Sequence, residues 1–259
     1  MNLNANLLKS GAAALLIAST GALADNHEEG EAYHLAIHHV HAKLGHIPEF
    51  QAGMEAYSNC LKENDAEDGF SVWRSFDGDR TGFHIVGRFD KWAEFDADDE
   101  VSDVCWGNDE IRGGVFDHMA SWETSYAEKL PAWSGSGAEG YTVVHLHNFR
   151  VEENGDFRAV VGEITGYMKD AEYVQQADWF NVMTSGYWDA DYFAVTHFDN
   201  FAAMDEDRLG VMGVLREAVG DERAEQLWED WGDTLADEKG YWRETLVLQS
   251  SMGYSPDDE

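Results

Sequence analysis

The sequence predicts an α+β protein in which one β-α-β-β-α-β unit is written twice in tandem. Self-similarity carries the prediction: residues 83–96 read FHIVGRFDKWAEFD and residues 192–205 read YFAVTHFDNFAAMD, with aromatic, Val, Phe-Asp, aromatic and Ala recurring in step. Upstream, IHHVH at 37–41 and VVHLH at 143–147 repeat an H-[VL]-H element at nearly the same spacing. Between the copies lies SGSGAEG, residues 134–140, a linker by composition.

The elements follow in the same order in both copies. In the first, alternation over 33–42 predicts a strand, and Pro48 opens a helix that places Ile47, Phe50, Met54, Tyr57 and Leu61 on one face. Strands at 70–76 and 83–89 flank the turn Asp77-Gly78-Asp79; a helix starts near Asp90, and a last strand covers 120–126. In the second, a strand at 141–149 precedes a helix with Phe157, Val160, Val161, Ile164, Tyr167 and Met168 inward. Strands at 179–184 and 192–198, short helices at 208–219 and 222–230 and a strand at 241–249 complete it. This copy is the longer by eleven residues between its Phe-Asp and its last strand.

That order is the ferredoxin-like split βαβ unit, a four-stranded sheet with both helices on one face. Its bare face is covered if the two sheets pack on each other as a barrel with helices outside. On the recurring strand-Phe-Asp-x-aromatic-Ala segments, Phe89 to Ala93 and Phe198 to Ala202, and on the element order, the chain resembles the dimeric α/β-barrel superfamily in single-chain tandem form. The superfamily includes antibiotic-biosynthesis-type monooxygenases, haem-degrading enzymes and chlorite-dismutase-like haem proteins. The resemblance implies a fold and leaves the activity open.

Residues 1–24 combine Lys9, an apolar run at 12–18 and Ala22-Leu23-Ala24, the pattern of a secretory signal peptide, so a periplasmic or secreted protein is expected. The expected organisation is a flexible N-terminus at 25–32, repeat 1 at 33–133, the linker, repeat 2 at 141–252 and an acidic tail at 253–259. No apolar run has the roughly 20 residues of a membrane span. With 51 acidic against 17 basic residues the formal charge is −34, which argues against nucleic acid and anionic membranes as partners. The oligomeric state is left open. Cys60 and Cys105 are the only cysteines and either form a disulfide or remain two buried thiols.

The histidines draw most attention. Strand residues two apart share a face, so His39 and His41 project together, as do His145 and His147. If the sheets face each other both pairs turn toward one lumen, joined by His84 and Arg88 and, at the matching position, His197. Trp228 and Trp231 are expected to close a pocket mouth. Three uses fit: a small-molecule pocket, with enzymatic conversion of the ligand left open; a metal or haem site with His39, His41, His145 and His147 as ligands; and a noncatalytic structural or interaction module. No motif requires a cofactor. His34 and His38 are expected under the helices, His46 is expected to be exposed, and His118 has no visible partner. No G-x-S-x-G elbow, P-loop, dinucleotide fingerprint or H-E-x-x-H is present.

Overall fold

The computed structural model describes residues 32–97, 99–135, 140–173, 176–184 and 190–256. The signal segment, all but the last residue of the N-terminal stretch, and 136–139 of the linker lie outside the described residues. Repeat 1 comprises β1 (His34–Ala42), α1 (Ile47–Glu63), β2 (Phe70–Ser75), β3 (Gly82–Phe89), α2 (Glu100–Gly107), α3 (Asp109–Phe116) and β4 (Met119–Lys129). Repeat 2 comprises β5 (Val143–Phe149), α4 (Asn154–Asp170), β6 (Asp178–Thr184), β7 (Tyr192–Phe198), α5 (Val211–Val219), α6 (Asp221–Asp233) and β8 (Tyr241–Leu248).

The one helix expected after Asp90 is instead a 3-10 turn, Trp92–Asp96, followed by two helices. Side-chain caps make the breaks. The Asp99 carboxylate accepts from the Ser102 N–H at the start of α2, and the Asn108 side chain accepts from the Glu110 and Ile111 N–H groups at the start of α3. In α1, Pro48 occupies the first turn, where no intrahelical donor is lost, and Phe50, Met54, Tyr57 and Leu61 are buried as the spacing predicts.

Strand order is β4-β1-β3-β2 in repeat 1 and β8-β5-β7-β6 in repeat 2, and the pairs β2–β8 and β4–β6 close one eight-stranded barrel. Every neighbouring pair is antiparallel. Around a ring of eight alternating strands, β1 and β5 therefore run the same way, and the pseudo-two-fold that relates the repeats lies along the barrel axis. Ile37, Trp73, Val144, Leu146, Phe180, Phe193 and Leu246 fill the barrel from both sheets. On the outer faces, Val40, Phe83 and Ile85 pack beneath α1 to α3, and Phe149, Tyr192 and Ala194 beneath α4 to α6.

The two cores are not closed by their own repeats. After β4 the chain crosses to repeat 2 and seats Trp133 against Phe157 and Trp179, with the Ser134 hydroxyl donating to the Leu130 carbonyl and accepting from the Trp179 N–H. After β8 it crosses to repeat 1: Met252 is fully buried in that core, its carbonyl accepts from the Ser58 hydroxyl, and Tyr254 bridges to Phe70. Thus 253–256 belongs to the folded body, where an acidic tail was expected. Cys60 on α1 and Cys105 on α2 form a disulfide.

Because each crossing segment fills the other repeat, Met252→Ala and Trp133→Ala are each expected to lower the unfolding free energy by about 2–5 kcal/mol. Both should do so in a single cooperative transition by urea denaturation. Separate transitions for the two repeats would contradict the interlocked core. Reduction of the Cys60–Cys105 bond, which spans 45 residues, is expected to cost about 2–4 kcal/mol, read as a lower melting temperature in dithiothreitol.

Candidate functional site

The barrel interior is apolar at mid-height and polar at both ends. At the end where β1 and β5 finish, a cavity of about 790 Å³ opens between the β2–β3 hairpin and the start of β8, bounded by His39, His41, Asp79, His84, Trp242 and Glu244. A smaller cavity of about 120 Å³ lies deeper, among Trp73, Leu146, Phe180 and Phe193. His84 borders both.

Register explains the grouping at the mouth. His39 sits opposite His84 across β1 and β3, and their Nδ1 atoms are 3.2 Å apart. On its other side His39 Nε2 is 3.2 Å from the Ser125 hydroxyl of β4. His84 Nε2 stands 3.9 Å from a Glu244 carboxylate oxygen, too far for a direct hydrogen bond. The other Glu244 oxygen accepts from Trp242 Nε1 and the Asn148 amide. One placement of protons satisfies the chain throughout: Ser125 donates to His39 Nε2, His39 Nδ1–H to His84 Nδ1, and His84 Nε2–H points toward Glu244. At the rim His41 Nδ1 lies 3.0 Å from Asp79, whose carboxylate also accepts from the Thr81 N–H and hydroxyl.

Burial sets the protonation states. Loss of solvent holds His84 down at about 4, and burial together with the neighbouring imidazoles takes His39 to about 2, so both are neutral at physiological pH. Burial acts the other way on Glu244 and raises its pKa. Asp79 is held below the usual carboxylate range, chiefly by its hydrogen bonds from Thr81. A neutral imidazole beside a carboxylate of raised pKa is a donor–acceptor couple suited to moving a proton.

The structure brings together only part of the expected set. His39 and His41 reach the mouth. Arg88 and His197 also point inward, but at the opposite end of the barrel. There the Arg88 guanidinium lies 3.9 Å over Tyr33, and Asp178 meets Lys129 at 3.1 Å and His197 at 3.6 Å. His145 and His147 do not face the lumen. They lie on the outer face of β5, where His147 bonds the Tyr241 hydroxyl and the Thr196 hydroxyl and His145 packs on Phe198.

The cause is register. β1 and β3 pair His39 with His84, whereas β5 and β7 pair Asn148 with Phe193, so Asn148 is the counterpart of His39 and His147 that of His38. An odd-numbered slip between the two H-x-H elements moves one pair to the other face of its sheet. The expected ligand set of His39, His41, His145 and His147 is therefore divided between the two faces of the barrel wall. Among the described residues no group of three or more His, Cys, Asp or Glu is arranged to hold a metal ion. Trp231 packs on Phe149 and Tyr241 and, at a tilt, against the exposed Trp228; neither lines the mouth cavity.

Sequence reasoning gives no role to Glu244, Ser125 or Asn148 and takes Trp242 as a core residue at the start of the last strand. The signal for the first was available. In YWRETLVL the alternation sets Trp242, Glu244, Leu246 and Leu248 on one face, so the carboxylate shares the buried side of its strand.

No family model matches the chain, and no curated protein matches it. Solved structures do. An anthrone oxidase-like protein is 12% identical at a TM-score of 0.50, with 89% of this chain and 97% of that one covered. Chlorite dismutase from Candidatus Nitrospira defluvii, in complex with imidazole, is 8% identical at a TM-score of 0.50, with 87% and 94% covered. These likenesses show the fold alone, a barrel of the dimeric α/β type.

The buried histidines make stability depend on pH. His38, His84 and His147 are each lowered by burial from 6.5 to about 4 in the folded chain. Their contribution is complete above pH 6.5 and is lost as the pH falls toward 4, because only the unfolded chain takes up the proton. Each accounts for about 1.4 kcal/mol per pH unit in that window. Replacing His84 by Phe, the residue its counterpart Phe193 already is, should flatten the pH dependence of the unfolding free energy by about one proton. Parallel curves for the two proteins between pH 4.5 and 6.5 would contradict this.

Proposed function

We propose that the chain is an exported protein that binds a small, partly aromatic molecule at the histidine-lined mouth of its barrel and moves a proton on it through Glu244 and His84. One observation carries the reading: the mouth cavity ends on the His84–Glu244 couple, with the Trp242 ring beside it. An aromatic surface with a few convergent polar atoms is the usual make-up of a small-molecule site. The anthrone oxidase-like neighbour supports an aromatic ligand, since its name denotes a substrate of that kind.

In this reading the ionised Glu244 carboxylate accepts a proton from a ligand hydroxyl, leaving the ligand as its oxyanion and Glu244 as the acid. Burial raises the pKa of the carboxylate and so makes it a stronger base than an exposed glutamate. His84 positions it and hands hydrogen bonding back through His39 to Ser125. His41 is held at the rim by Asp79, where it can orient a polar group on the ligand. Export is supported by the sequence of residues 1–24 and by the disulfide, since such bonds persist in oxidising compartments.

The test is calorimetric titration of phenols and hydroxylated polycyclic aromatics into the parent protein, Glu244→Gln and His84→Phe. A ligand that binds the parent is expected to pass its proton to Glu244 within the complex, seen as a shift of its absorption to that of the aromatic oxyanion, with a binding heat that does not depend on the buffer. Glu244→Gln should abolish that shift while leaving the fold intact. Its own stability has a defined sign: the raised pKa makes Glu244 costly once the pH rises through its folded value, so the Gln variant should gain on the parent above that pH. Failure of every aromatic hydroxyl compound to bind, or binding indifferent to Trp242 and Glu244, would end the proposal.

A further inference from the structure

His46 and His118 are 72 positions apart in sequence, line no part of the mouth cavity, and meet on the surface of repeat 1 with their Nδ1 atoms 2.9 Å apart. Their ring centroids are 5.1 Å apart and the planes are inclined by 32°. His46 is exposed and His118 half-buried. The backbone holds both in place. Gly45, at φ +85°, occupies the left-handed region that favours glycine and closes a turn in which the His46 N–H donates to the Lys43 carbonyl. The Lys43 N–H in turn donates to the His118 carbonyl, and the Lys43 ammonium donates to the Asp117 carbonyl. The His46 carbonyl already accepts from the Phe50 N–H in the first turn of α1.

Across that gap two neutral imidazoles can share only one proton, and at the surface water competes for it, so the contact itself contributes little stability. What it supplies is two nitrogen lone pairs at one point of a chain whose formal charge of −34 concentrates divalent cations around it. The spacing suits ligand positions at right angles better than tetrahedral ones. Two nitrogens at about 2.05 Å from an ion are about 2.9 Å apart in cis positions of a square plane, and about 3.3 Å apart on a tetrahedron. For both lone pairs to meet a common ion the exposed His46 ring has to turn from its hydrogen-bonded position.

We infer that His46 and His118 form a bidentate surface site for a square-planar divalent metal, copper(II) ahead of nickel(II). Water fills the remaining positions. The order follows the general rise of affinity toward copper. The site stands apart from the mouth and does not depend on the reading proposed for it.

The experiment is calorimetric titration of copper sulfate into the chain beginning at Asp25, with His27→Ala in every sample, because a free amine at Asp25 two residues before His27 would itself chelate copper. One equivalent of copper should bind, with paramagnetic resonance showing two imidazole nitrogens. His46→Ala and His118→Ala should each weaken it at least tenfold, with circular dichroism unchanged since neither ring is core. Nickel should bind more weakly at the same stoichiometry, and His41→Ala should bind as the parent does. Copper binding that survives both substitutions, is lost in His41→Ala instead, or is absent from the parent would overturn the inference.

Discussion

A four-stranded sheet with its helices on one side has a second face that nothing in its own unit can cover, and burying that face is the constraint on which the rest of this structure depends. Two such sheets meet here edge to edge along β2–β8 and β4–β6, so no strand edge is left open and the apolar faces become the inside of a barrel. The same closure carries the chain ends past the seam. Trp133 and Met252 arrive at equivalent places because β4 and β8 are equivalent strands, each running out of its own repeat beside the β6 or β2 of the other. A repeat expressed alone would lack both its covering sheet and the residue that completes its helical core.

Duplication supplied a symmetric barrel, and divergence made it one-sided. His39, His84 and Ser125 have as their counterparts Asn148, Phe193 and Glu244. The second repeat thus has no imidazole pair and carries a carboxylate where the first has a hydroxyl. Since the pseudo-two-fold runs along the barrel axis, both sets lie at one end and converge on a single group: the Glu244 carboxylate faces His84 from the first repeat while accepting from Asn148 of its own. The site therefore needs both halves, which neither half could assemble by pairing with a copy of itself.

Much of this was legible in the sequence. Element order, the tandem unit and the inward faces of α1 and α4 follow from periodicity, because burying one helix face demands apolar residues three and four apart. Cys60 and Cys105 could be paired as one of two alternatives, which the structure resolves. The site was only half legible. H-x-H in both copies invited an alignment that matches His39 to His145, whereas the strand register matches it to Asn148, three residues further on. On a helix such a shift keeps nearly the same face. On a strand it reverses the face, and His145 and His147 went with it. Glu244 was missed for a different reason: in a chain so rich in acidic residues a single glutamate carries no signal until its neighbours show which face it occupies.

The acidity and the buried histidines are two sides of one arrangement. Outside, carboxylates keep their solvent and their charges are screened. Inside, desolvation favours whichever form of a group is neutral, which for imidazole is the form that both donates and accepts a hydrogen bond. His38, His39, His84 and His147 can therefore bridge hydroxyls, carboxylates and each other without bringing net charge into the wall. Lysine in the same places would need a buried counter-ion, as Lys129 does with Asp178 at the far end. Glu244 is the exception at the mouth, a group whose charged form the site disfavours, and its position next to the cavity is where that unspent preference for a proton can be used on a ligand.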